Sequence, residues 1–132
     1  MNKMRISSNR ISRLASDEVF VFGSNLQGMH GGGAARMAYE RFGAVWGEGV
    51  GMFGRSYAIP TMQDGVETIK PYVDDFIRFA QMHCELDFLV TEIGCGIAGF
   101  TPQDIAPLFF KVIENDIRNV YLPESFYEEY ER

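Results

Sequence analysis

Val19-Phe20-Val21-Phe22 is an apolar run with no polar residue to turn toward water, and it stops at Gly23. Successive side chains of a strand point to opposite faces, so such a run needs cover on both. The rest of the chain supplies that cover in pieces of helical spacing. Ala34, Ala35 and Ala38 lie in a stretch that predicts a helix over residues 32–42, ending before Gly43. Ile69, Tyr72, Val73, Phe76, Ile77 and Ala80 predict a second helix, with Pro71 in its first turn. Thr101-Pro102-Gln103-Asp104 opens a third with an N-cap, an N1 proline and an acidic N3 residue. Its apolar face is Ile105, Leu108, Phe109, Val112 and Ile113, and Pro107 within it predicts a kink or a short 3₁₀ start. Between the helices, residues 56–59 (stopped by Pro60), 87–91 and 119–122 read as further strands. Alternation of this kind predicts an α/β fold in three layers, α/β/α, with a largely parallel or mixed sheet. A length of 132 residues suits one domain. Residues 1–16 read as an arm, an edge strand or a disordered lead, and residues 44–54 as an irregular, glycine-crowded loop. The acidic, aromatic tail from Glu124 reads as a terminal helical turn.

The net charge of −6 comes with no basic cluster, which argues against a nucleic-acid polymer as partner. It does not exclude a small phosphorylated ligand, because amide dipoles act locally. Cys84 and Cys95 are the only cysteines, and their spacing suggests neither a disulfide framework nor a zinc site. The first residues carry no apolar signal segment, and no run approaches membrane-spanning length. The expectation is a reduced, cytoplasmic protein with no metal, no cofactor and no membrane partner.

Two glycine-rich turns stand at strand-to-helix junctions. The first begins Gly23-Ser24-Asn25 and ends Gly31-Gly32-Gly33-Ala34-Ala35; the second is Gly94-Cys95-Gly96-Ile97-Ala98-Gly99-Phe100-Thr101-Pro102. Such junctions aim main-chain N–H groups and a helix N-terminus at one point, an arrangement that suits phosphate. Two of them could grip a diphosphate from both ends, although glycines also build tight turns for their own sake. Asn25 has two readings, as a ligand to ribose hydroxyls or water and as an Asx turn; Ser24 has the same pair. His30 reads as an acid or phosphate donor, or as a structural loop residue. Glu92, just past a strand, is the candidate base, with solvent exposure as the plain alternative. Cys95 near a helix N-terminus is a candidate low-pKa thiol, or a small residue fitting a tight loop. Asp104 is sufficiently explained as a cap. Phe100 could stack on a ribose or base, or pack into the core. Arg36 and Arg55 could neutralise a phosphate or lie on the surface, and His83 reads as a surface residue or helix cap.

These segments resemble macro domains, the ADP-ribose-binding modules. In that family a strand runs into an asparagine, a triple glycine and a helix, and a later strand runs into a Gly-(Ile or Val)-aromatic-Gly-aromatic-Pro loop. More closely, the chain resembles a short, macro-domain-like family of bacteria and phages, through Val-Phe-Gly-Ser-Asn-Leu at residues 21–26, His-Gly-Gly-Gly-Ala-Ala at 30–35, Ser-Tyr-Ala-Ile-Pro-Thr at 56–61 and Ile-Gly-Cys-Gly-Ile-Ala-Gly at 93–99. The resemblance implies that the first loop meets the distal ribose, with Asn25 beside it, and that the second wraps the diphosphate. The implied contact set is Gly23, Ser24, Asn25, Gly31, Gly32, Gly33, Ala34, Gly94, Cys95, Gly96, Ile97, Ala98, Gly99 and Phe100. The chain departs from the family at three places. Ala34 and Ala35 stand where hydrolytic members often carry an aspartate, Ala98 stands where an aromatic is expected, and the upstream Gly-Asp-Ile motif is absent. The expectation is therefore a binding module for an ADP-ribose-like ligand. A hydrolase of ADP-ribosyl groups using Asn25, His30 and Glu92, and a structural or interaction protein, are the alternatives.

Overall fold

A computed structural model describes residues 5–132. Among the described residues, six strands form one mixed sheet: β1 (Ile6–Ser7), β2 (Glu18–Ser24), β3 (Gly51–Phe53), β4 (Ser56–Pro60), β5 (Asp87–Val90) and β6 (Val120–Pro123), in the order β1-β6-β5-β2-β4-β3. Every pairing is parallel except that of β3 with β4. The central strand β2 sets Val21 against Tyr57 of β4 and against Val90 of β5.

The apolar run of β2 is shared between two cores, as its lack of alternation requires. Val19 and Val21 belong to a large cluster with Ile69, Val73 and Phe76 of helix α2 (Val66–Gln81), with Phe88 and Val90, and with Phe109 and Phe126. Phe20 and Phe22 turn the other way, onto Ala38 and Phe42 at helix α1 (Gly33–Arg41). Ala34, Ala35 and Met37 pack at the edge of this smaller cluster, where their small or flexible side chains bring the helix close to the sheet. Full burial of a phenylalanine side chain contributes about 2–3 kcal/mol, so Phe22, Phe76, Phe88 and Phe109 are the main anchors of the layers.

Helix α2 starts at Val66, after an extended Gly65, so Pro71 lies in the second turn rather than the first. The third helical stretch is divided as Pro107 predicts: α3 (Pro102–Ile105), a 3₁₀ turn (Ala106–Phe109) and α4 (Phe110–Glu114). Thr101 and Asp104 form the full capping box at its start. The tail forms two turns, α5 (Glu124–Tyr130), with Phe126 and Tyr127 buried. Residues 44–54 are irregular up to Val50 and then form edge strand β3. Of the N-terminal segment, residues 1–4 lie outside the described residues; Ile6 and Ser7 pair with Leu122 and Pro123 as an edge strand. No helix among the described residues is long and apolar enough to cross a membrane.

Candidate functional site

Because β1, β6, β5, β2 and β4 run the same way, their carboxyl ends open on one edge of the sheet, where ligands of open α/β sheets sit. A cleft of about 490 Å³ occupies that edge. Both glycine turns line it: Gly23, Ser24, Asn25, Gly32, Gly33 and Ala34 from the first, Gly94, Gly96, Ile97 and Ala98 from the second, with Glu92 between strand and turn. The turns adjoin because β2 and β5 are neighbours. Gly23 permits this closeness, since a Cβ there would lie 3.3 Å from the Gly94 nitrogen and 3.6 Å from the Ile93 Cα.

The main chain of both turns is left with donors to spare. Helix α1 has no side-chain cap and no acidic residue in its first turn. Among the described residues, no acceptor meets the amides of Gly31, Gly32, Gly33, Ala34 or Ala35. The same is true of the amides of Gly94, Gly96, Ile97 and Ala98. A folded protein pairs the great majority of its main-chain amides, so these nine, eight of them on residues that line the cleft, concentrate hydrogen-bonding capacity around one opening. The start of α3 is different: its own Thr101 and Asp104 satisfy it, so the second turn contributes loop amides and not a helix terminus.

The side chains divide by what already holds them. Asn25 lines the cleft while its amide bridges the turn, Nδ2 donating to the Met29 carbonyl at 3.0 Å and Oδ1 accepting from the Met29 N–H at 2.8 Å. One proton and one lone pair of that amide stay free for a ligand. Ser24 Oγ donates to the Gly49 carbonyl at 2.5 Å and is buried. Glu92 is exposed at the mouth, where Ser125 Oγ donates to its Oε2 at 2.5 Å.

His30 lies outside the cleft lining. It is 1% exposed, edge-on to Phe22 and Trp46, and its Nε2 donates to the carbonyls of Val45 and Glu48 at 3.0 and 3.2 Å. It fastens the glycine-crowded loop to the first turn. The same loop is pressed against Asn25 at Gly49, where a Cβ would lie 2.0 Å from the Asn25 carbonyl oxygen.

Gly31, Cys95, Gly99 and Phe100 also stand outside the lining. Phe100 packs against the large core and over Gly94. Burial, with Glu92 and Asp104 adding to it, pushes the Cys95 thiol up to about 11, so it stays protonated at neutral pH and is no nucleophile there. Arg36 is paired with Glu40 at 3.0 Å and Arg55 donates to the Ala15 carbonyl, neither at the cleft. His83 accepts its place at the end of α2, stacked on Phe79 with Nδ1 at 2.8 Å from the Phe79 carbonyl.

Several lining residues were not anticipated. Residues 8–11 cross the mouth after β1, and Thr61, Met62 and Thr91 line it from the ends of β4 and β5. Met29, Met37, Met62, Ile93 and Ile97 make much of the wall apolar. A signal for Thr61 was present, since it ends the Ser-Tyr-Ala-Ile-Pro-Thr segment. Ser8, Asn9, Arg10 and Ile11 gave none, because a two-residue edge strand is too short to show a period. Among the described residues, no group of three or more His, Cys, Asp or Glu side chains is placed to hold a metal ion. No protein-family model, no curated protein and no solved structure matches this chain.

Proposed function

We propose that the chain is a binding module for ADP-ribose or a related nucleotide-diphosphate ligand, held in the cleft between the two glycine turns. The observation that carries this reading is the set of unpartnered main-chain amides on both turns around one opening. Amide donors suit phosphoryl oxygens, and they work without basic side chains in a chain of net charge −6. The apolar part of the wall suits the face of a nucleoside, and the free edge of Asn25 suits a ribose hydroxyl pair. The resemblance of the two turns to those of macro domains favours the same ligand class.

A module is favoured over a hydrolase because the three residues expected to carry chemistry do not converge. His30 is buried behind the first turn, Asn25 is engaged in it, and Glu92 is bonded to Ser125. Isothermal titration of the wild-type protein with ADP-ribose, ADP, AMP and ribose 5-phosphate tests the reading. Heat of binding is expected for the two diphosphates and much less for the two monophosphates. Absence of binding by both diphosphates would overturn it.

A further inference from the structure

We infer that the cleft holds the nucleoside of its ligand by apolar contact with methionines and does not read the edge of the base, so that it takes nucleoside diphosphates irrespective of base; this rests on the nucleotide-diphosphate reading above. Met29 in the first turn, Met37 on α1 and Met62 just past β4 line the same cleft. They come from three separate segments, and only the fold brings them together. Met29 and Met62 are 56% and 49% exposed, and Ile97 on the second turn is 79% exposed. Large apolar side chains left open beside a set of unpartnered amides are covered when a ligand with both characters arrives. Its phosphates need the amides, so its uncharged part is left with the apolar wall.

The wall fits shape and not pattern. A thioether side chain is unbranched, has no donor and is only a weak acceptor, so it moulds itself to a flat ring without sorting its edge. Phe20, the aromatic residue of the lining, offers no stacking face: it is 2% exposed and packs on Phe42 with ring centres 4.9 Å apart.

The polar side chains of the lining do not supply a reader. Strong discrimination needs buried groups that the wrong base would leave unpaired. The buried polar side chains here are Ser24 and Thr61, and both hydroxyls already donate to main-chain carbonyls, Ser24 to Gly49 at 2.5 Å and Thr61 to Ser24 at 3.4 Å. Thr91, half-buried, donates to the Val21 carbonyl at 2.8 Å. Asn9 and Arg10 stand exposed on the arm, where water competes for every hydrogen bond they make.

Titration of the wild type and of Met62→Ala with two matched pairs, ADP-ribose and GDP-ribose, then ADP and GDP, tests the inference. Adenine and guanine share a shape but present an amino donor and a carbonyl acceptor at the same ring position. Wild-type affinities within each pair are expected to agree within about threefold. Met62→Ala, at a half-exposed position, is expected to weaken both members of a pair alike, by about fivefold. A wild-type preference above about tenfold for one base, a Met62→Ala loss confined to one base, or no loss in the folded variant would overturn this inference and leave the diphosphate reading standing. Failure of the wild type to bind any of the four would overturn both.

Discussion

Gly32 and Ile97 face each other from the two turns: a Cβ on Gly32 would lie 3.5 Å from Ile97 Cδ1, ordinary contact distance. The first and second turns thus come within one side chain of closing the cleft. Gly32 itself has extended backbone, φ −156°, which any residue adopts. Gly32→Val is expected to fold, with a stability loss of about 1 kcal/mol for the altered N-cap. Its branched side chain enters the space a phosphate would take, and affinity for ADP-ribose is expected to fall by at least about tenfold. Calorimetry beside thermal denaturation checks both halves. Unchanged affinity in the folded variant would count against the two-turn site.

His30 is expected to act on stability and not on chemistry. His30→Ala removes a buried ring and leaves the Val45 and Glu48 carbonyls without its N–H. A loss of about 3 kcal/mol is expected in urea denaturation. Abolition of turnover on any ADP-ribosyl substrate, with full stability retained, would restore the acid–base reading of this residue.

Asp74 joins α2 to the broken helix. It accepts from Lys70 at 2.8 Å and from Lys111 at 2.5 Å. Burial raises its pKa, but the two lysine hydrogen bonds outweigh this, so the folded value lies below the ordinary 3.8. A carboxyl depressed on folding stabilises the fold fully above its unfolded pKa, and the contribution is lost as pH falls through the folded value. Asp74→Asn is therefore expected to be less stable than wild type at pH 7, by about 1 kcal/mol for so exposed a set of lysines, with the gap closing below pH 3.8. Urea melts of both proteins across that range check the sign. A gap that widens in acid would rule out the ion pairs as its source.

The α/β class and the positions of the inner strands β2, β4, β5 and β6 could be read from the chain because the apolar runs and the helical spacings are both strong local signals. Thr101, Asp104 and Pro107 marked the start and the break of the third helix through chemistry confined to a few neighbouring residues. The placement of His30 could not be read. Its neighbours Phe22, Tyr39, Val45, Trp46 and Glu48 come from separate segments, and only the fold decides that it faces them and not the cleft. Strand β3 was hidden by Gly47, Gly49, Gly51 and Gly54, which signal turns whether or not a short edge strand runs among them. Arg10 escaped notice for a related reason: nothing local shows that β1 lies parallel to β6 and delivers the arm to the same edge as both turns.

The first turn is already tied down by Ser24 on Gly49, by Asn25 on Met29 and by His30 on two carbonyls. Its donors are thus preorganised, and little conformational entropy remains to be lost when an anion arrives. Mutations that loosen these tethers are expected to weaken ADP-ribose binding mainly by adding that ordering penalty, even at His30, which lies outside the cleft lining.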